Sequence, residues 1–166
     1  MTNNPTIDLT GKNALITGGS RGIGKAVALT LAEQGMDIVI CGRTLPSLQA
    51  TAEQIRALGV KCYPLQADVS DMQQIEQLVA DASAATSRID VLVNNAVTST
   101  SAPFDELQDN EFRYHIDVKL MAYIRIARLV FAQLQQHRWG RIVTVGGMTA
   151  RIVAPLRMTN GVVNAG

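Results

Sequence analysis

The feature that most constrains this chain is the run Asn13-Ala14-Leu15-Ile16-Thr17-Gly18-Gly19-Ser20-Arg21-Gly22-Ile23-Gly24. A short apolar segment of strand character leads into a glycine-rich turn, and an amphipathic helical pattern leads out of it. Gly18, Gly22 and Gly24 follow the spacing G-x-x-x-G-x-G. Residues without Cβ let the backbone turn tightly and approach a ligand closely. The following helix presents unpaired N–H groups and the positive end of its dipole. Strand, turn and helix in that order suit a phosphate-bearing ligand. A tight strand-to-helix turn alone would also select glycine, so the remaining sequence has to decide.

Helical and strand-like patterns then alternate. Residues 22–34 predict a helix, with Ile23, Val27 and Leu31 every fourth residue and Gly35 as its stop. Residues 37–41 form an apolar run suited to a strand buried on both faces. A helix is expected from Pro46 to Gly59, with Leu48, Ala52, Ile55 and Leu58 on one side. Residues 60–65 predict a third strand, and a helix follows with Ser70 or Asp71 as its cap. Residues 90–93 predict a fourth strand ending at Asn94-Asn95-Ala96. One long helix is expected over 109–137, with Ile116, Leu120, Ile124, Ala127, Phe131 and Leu134 in register. A helix that long suits a subunit interface, so a homo-oligomer through 109–137 is expected. Residues 141–145 predict a fifth strand, and a last helix begins near Met158.

Strands alternating with helices imply an α/β fold, a doubly wound parallel sheet of about five strands with helices on both faces. Its ligand belongs at the carboxyl ends of the strands, where strand order reverses. Gly18 to Gly24, Arg43, Asp68, Asn94 and Gly147 all come just after strands and so converge on one edge of the sheet. With 166 residues and no repeat or second domain, residues 1–166 read as a single domain. The 15 basic and 14 acidic residues nearly cancel, giving no reason to expect nucleic acid or an anionic membrane. No apolar run reaches the roughly 18 residues of a membrane span, and the N-terminus lacks signal-peptide character. Cys41 and Cys62 lack metal-ligand spacing and sit in apolar runs, so buried reduced thiols, no metal and a cytoplasmic location are expected.

Thr17-Gly18-x-x-x-Gly22-Ile23-Gly24, Asp68-Val69, Asn94-Asn95-Ala96 and Gly140-Arg141-Ile142-Val143 together resemble the short-chain dehydrogenase/reductase family. The resemblance covers essentially the whole chain. It implies a Rossmann-type sheet and a nicotinamide dinucleotide site. Gly18, Ser20, Arg21, Gly22, Ile23 and Gly24 would then hold the pyrophosphate end. Asp68 and Val69 would meet the adenine, Asn94 would tie the sheet near Thr17, and Asn95 and Ala96 would lie toward the nicotinamide ribose. After the second strand comes Cys41-Gly42-Arg43 rather than an acidic residue. An acidic side chain there would bind a ribose 2′-OH and repel a 2′-phosphate. Arg21 and Arg43 instead offer planar guanidinium donors, which favours NADP, with NAD as second choice. The implied activity is NADP(H)-dependent oxidoreduction of a small carbonyl or alcohol.

The family's chemical residues are replaced. Aligned without a gap, its tyrosine position holds Asn160, its lysine position Asn164 and its serine position Gly147. Lys119 stands where the family's asparagine is expected in the long helix. A carboxamide exchanges no proton near neutral pH, so neither asparagine can act as acid or base. Asn164 can still hydrogen-bond ribose hydroxyls. Lys119 becomes the candidate catalytic residue, if burial lowers its pKa. His115 lies one helical turn earlier and reads as structural. Two readings stay open: an oxidoreductase with a non-standard proton donor, or a catalytically degenerate dinucleotide-binding protein acting as a binding or regulatory module. A purely structural subunit fits less well, because it needs no glycine loop. Family members also run longer, with further strands and a substrate-binding segment, so the domain is expected to be incomplete.

Overall fold

The computed structural model describes residues 7–152 and 154–166. Five parallel strands form one sheet: β1 (Asn13–Thr17), β2 (Asp37–Gly42), β3 (Cys62–Gln66), β4 (Val91–Asn94) and β5 (Arg141–Thr144), in spatial order β3-β2-β1-β4-β5. Leu15 of β1 stands beside Val39 of β2 on one side and Leu92 of β4 on the other. The crossovers are α1 (Gly22–Glu33), α2 (Leu45–Arg56), α3 (Met72–Thr86) and a longer helical stretch between β4 and β5. A final helix, α6 (Met158–Ala165), follows β5.

Side chains alternate across each strand, so one strand feeds two cores. Leu15, Val39 and Leu92 pack with Ile75 and Leu78 of α3 and with Ile126 and Val130 of the longer stretch. Ile16, Ile38, Ile40 and Val93 face the opposite way onto Ala28 and Ala32 of α1 and Leu48 and Ile55 of α2. Burial on both faces explains why the central strands read as unbroken apolar runs. The chain winds outward from β1 through β2 to β3, then crosses back to β4. Strand order therefore reverses between β1 and β4, where a crevice opens at their carboxyl ends.

The structure corrects two details of the sequence pattern and decides a third between its two alternatives. The buried residues of α1 are Gly24, Ala28 and Ala32, and Ile23 is 62% exposed. Small residues face the sheet because the helix packs close to it at the glycine turn. The cap of α3 is Asp71, whose carboxylate accepts from the Gln73 and Gln74 N–H groups at 2.8 and 3.4 Å. The 109–137 stretch is continuous but not uniform: α4 (Asp109–His115), a π-helical segment Ile116–Met121, then α5 (Ala122–His137). The π turn is wider than an α turn and shifts the phase of everything after it. Consequently Ala122, Ile126, Val130 and Leu134 are buried. Ile124 and Phe131, expected in the buried register, are 43% and 54% exposed.

β5 is an edge strand exposed along its length. Among the described residues, no helix is long and apolar enough to cross a membrane.

Candidate functional site

The crevice at the β1/β4 switch point is a cleft of about 440 Å3. Gly18, Ser20, Arg21, Gly22 and Ile23 line it from the turn after β1, and Arg43 from the end of β2. Asp68 and Val69 line it after β3, Asn95 and Ala96 after β4. These ten residues come from four separate segments, and the sheet brings all of them together.

The turn itself requires its glycines. Gly18 and Gly22 have φ of +69° and +55°, the left-handed region that disfavours side chains. Gly24 lies inside the first turn of α1, not in the cleft wall. A Cβ there would overlap the Gly18 carbonyl oxygen and Asn95 Nδ2. Gly24 thus permits the contact that joins the loop to β4. The Asn95 carboxamide donates to the carbonyls of Thr17 and Gly18 at 2.9 and 3.2 Å. Thr17 Oγ1 accepts from the Asn95 and Ala96 N–H groups at 2.9 and 3.0 Å. The tie to Thr17 expected of Asn94 is therefore made by Asn95. Asn94 points the other way, donating to the Tyr123 carbonyl at 3.3 Å. Its Oδ1 is buried with no partner among the described residues.

Asp68 turns its Oδ1 onto the Ser70 N–H and hydroxyl at 2.9 and 2.8 Å, which fixes the carboxylate at the cleft. Arg43 donates to the Tyr114 hydroxyl at 2.6 Å, joining the end of β2 to α4. Thr17 is the tie point expected from the motif, whereas the sequence places Tyr114 in helix packing or an interface and not at the cleft. Thr17 immediately precedes the first glycine, which was the available signal. Nothing local marked Tyr114, which lies 71 positions from its partner.

A second cavity, about 430 Å3, lies between the π segment, α5, β5 and α6. Asn94, Lys119, Tyr123, Thr144, Val163 and Asn164 are among its walls. The two cavities share a partition. Asn94 and Lys119 face the second, and their chain neighbours Asn95 and Val118 face the first. Asn164 belongs to the second cavity rather than to the cleft of the glycine turn.

Lys119 is 8% exposed, and its Nζ donates to Asn164 Oδ1. Asn164 Oδ1 also accepts from the Gly147 N–H at 3.1 Å, and Asn164 Nδ2 donates to Thr149 Oγ1 at 2.6 Å. Among the described residues no carboxylate pairs with Lys119. Burial pushes its pKa below the usual lysine range. A Cβ on Gly147 would lie 2.5 Å from Asn164 Nδ2, so these two residues are fitted to each other. Asn160 stands apart from this network, donating to Ser99 Oγ at 3.4 Å.

The other titratable groups nearby are committed elsewhere. Tyr123 donates its hydroxyl to the Ala96 carbonyl at 2.9 Å, and burial pushes its pKa up. His115 is buried, with Nε2 3.0 Å from Thr100 Oγ1. Burial lowers its pKa, partly offset by Glu111. The thiols of Cys41 and Cys62 are pushed up to about 12 and about 11 by burial, which leaves both unreactive.

A parallel sheet with a glycine-turn crevice at its switch point defines a doubly wound nucleotide-binding domain of Rossmann type. The chain belongs to the short-chain dehydrogenase family, whose model matches residues 12–158. It is 32% identical to the oxidoreductase UcpA of Salmonella typhimurium over 146 residues, 88% of this chain and 55% of that protein. Thus the chain spans about half the length of that relative. A metagenomic short-chain oxidoreductase solved in complex with NADP superposes with a TM-score of 0.90 at 27% identity. That match covers 95% of this chain and 72% of the other. An NAD+-bound xylitol dehydrogenase also superposes at 0.90, with 25% identity, covering 96% and 62% respectively.

Proposed function

We propose that this chain carries the cofactor half of an NADP(H)-dependent oxidoreductase acting on a small carbonyl or alcohol, with Lys119 as its proton-bearing group. The cleft of the glycine turn carries this reading. Its loop is held against β4 without room for a Cβ at Gly24, and it exposes two guanidinium side chains, Arg21 and Arg43. Among the described residues neither arginine is paired with a carboxylate. Such a cleft fits a dinucleotide with an additional phosphate on its ribose.

In this reading Gly18, Ser20, Gly22 and Ile23 receive the pyrophosphate at the N-terminus of α1, and Asp68 and Val69 receive the adenine. Arg21 and Arg43 take the 2′-phosphate, and Asn95 and Ala96 lie toward the second ribose. NADPH held there would supply hydride chemistry toward a carbonyl carbon. Reduction of the carbonyl would also require a proton at its oxygen. Lys119 can deliver one from Nζ, because desolvation makes its ammonium a stronger acid than an exposed lysine. Asn164 fixes the amine through Oδ1 and, with both Oδ1 bonds already made, acts as a positioning residue. Exposed Ile124 and Phe131 on α5 support association of copies through the 109–137 stretch.

The replacements at Asn160, Asn164 and Gly147 favour a second reading, a dinucleotide-binding module without turnover. NADPH oxidation by a panel of aldehydes and ketones separates the two. The first reading expects turnover in the parent and a fall of about 10²–10⁴-fold in Lys119→Met. Undiminished turnover in Lys119→Met contradicts the role of Lys119. Tight NADPH binding with no turnover supports the module.

A further inference from the structure

We infer that Tyr114 is a specificity-determining residue of the cleft, holding the Arg43 guanidinium in place for a ribose 2′-phosphate; this rests on the NADP reading above. Arg43 is an exposed side chain with many rotamers, and such a group normally loses much freedom on gripping a ligand. Here it is fixed at both ends. Its carbonyl accepts from Gln66 Nε2 at 2.9 Å, and its Nη1 donates to Tyr114 Oη at 2.6 Å.

The anchor itself is rigid. Tyr114 is half-buried and packs against the core cluster that includes Leu15, Val118 and Leu92. Its ring is therefore held by apolar packing while its hydroxyl stays at the cleft. A guanidinium carries five N–H donors, and Tyr114 occupies one side of the fork. Nε and Nη2 of Arg43 have no protein acceptor among the described residues. The phenol accepts from Arg43 and keeps its own O–H to donate. The pair thus presents a planar cation and a hydroxyl donor, neither neutralised, at the end of β2 where the ribose discrimination of this fold class occurs.

A phosphate dianion can use all of these donors, whereas a ribose hydroxyl has no need of the charge. Removing the phenolic oxygen frees Arg43 and removes one donor, so the loss falls on the 2′-phosphate alone. Immobilising one long side chain corresponds to about threefold to tenfold in affinity.

The test is calorimetric titration with adenosine 2′,5′-bisphosphate and with adenosine 5′-monophosphate. The parent binds the bisphosphate more tightly. Tyr114→Phe, which keeps the ring and its packing, loses about threefold to tenfold for the bisphosphate and nothing for the monophosphate. In an Arg43→Ala background the same change has a smaller effect, because only the hydroxyl donor is lost and there is no guanidinium left to hold. If Tyr114→Phe leaves the bisphosphate preference unchanged, or weakens both ligands equally, the inference is wrong. A full Tyr114→Phe effect in the Arg43→Ala background also overturns it. A parent with no preference between the ligands overturns the NADP reading itself, a result distinct from the other three.

Discussion

The two cavities on either side of the β4 end make an instructive pair. In the first, each residue that the family resemblance assigns to dinucleotide binding, Asn164 aside, lines the cleft or braces it from behind. In the second stand residues that the family resemblance aligns with its chemical positions. Lys119 stands at the family's asparagine position and Asn164 at its lysine position, and the two are hydrogen-bonded to each other. The pair sets an amine on the π segment against a carboxamide on α6. A Cβ at position 147 would lie 2.5 Å from Asn164 Nδ2. The two cavities are divided by a partition one residue thick at Asn94/Asn95 and Val118/Lys119.

The largest effect is expected from disturbing the first cavity alone. Gly24→Ala forces a Cβ against the Gly18 carbonyl and the Asn95 carboxamide. The expected cost is about 1–3 kcal/mol of stability, with NADPH affinity reduced by about tenfold or more. Urea unfolding and cofactor titration check both. Unaltered affinity would mean that the loop need not be held against β4.

A smaller effect sharpens the second cavity. Gly147→Ser should destabilise the chain by about 1–2 kcal/mol, because Asn164 is held by three partners and cannot easily yield. Adding Asn164→Ala should recover part of that loss, and the two changes should be clearly non-additive in urea unfolding. Full additivity would show that the two residues are not fitted to each other. Restoring the family's serine, tyrosine and lysine positions therefore calls for Lys119→Asn as well, since a lysine at 164 would meet Lys119.

The smallest effect is electrostatic. The folded state lowers the Lys119 pKa, so between that value and the usual lysine range the unfolded chain binds more protons. Stability then rises with pH across that window. Lys119→Met removes this rise, so the variant's advantage over the parent is greatest below the window and shrinks through it. Urea midpoints of both proteins from neutral to alkaline pH give the difference. A difference independent of pH contradicts burial of the amine.

Local chemistry was legible in the sequence, and phase was not. The strand, glycine turn and helix of β1 and α1 are set by neighbours in the chain, and the pattern places them correctly. Asp68 and Asn95 follow strands at the right edge for the same reason. The buried face of α1 differed by one residue because close packing on the sheet selects Gly24, Ala28 and Ala32 over larger side chains. The π segment was invisible, since Ile116, Leu120 and Ile124 fit an ordinary helix as well. Its wider turn decided that Lys119 is buried and Phe131 exposed. Asn94 and Asn95 are adjacent and chemically identical, so only the direction of β4 could tell which one reaches Thr17. Asn164 was assigned to the cofactor by alignment, whereas its contacts lie with Lys119, Gly147 and Thr149.

Separation of the two cavities is tested most directly by one titration: NADPH and NADH against the parent and Lys119→Met, followed by nicotinamide fluorescence. The parent is expected to prefer NADPH, and Lys119→Met to keep both affinities. Equal affinity for the two dinucleotides, or loss of NADPH binding in Lys119→Met, would contradict that expectation.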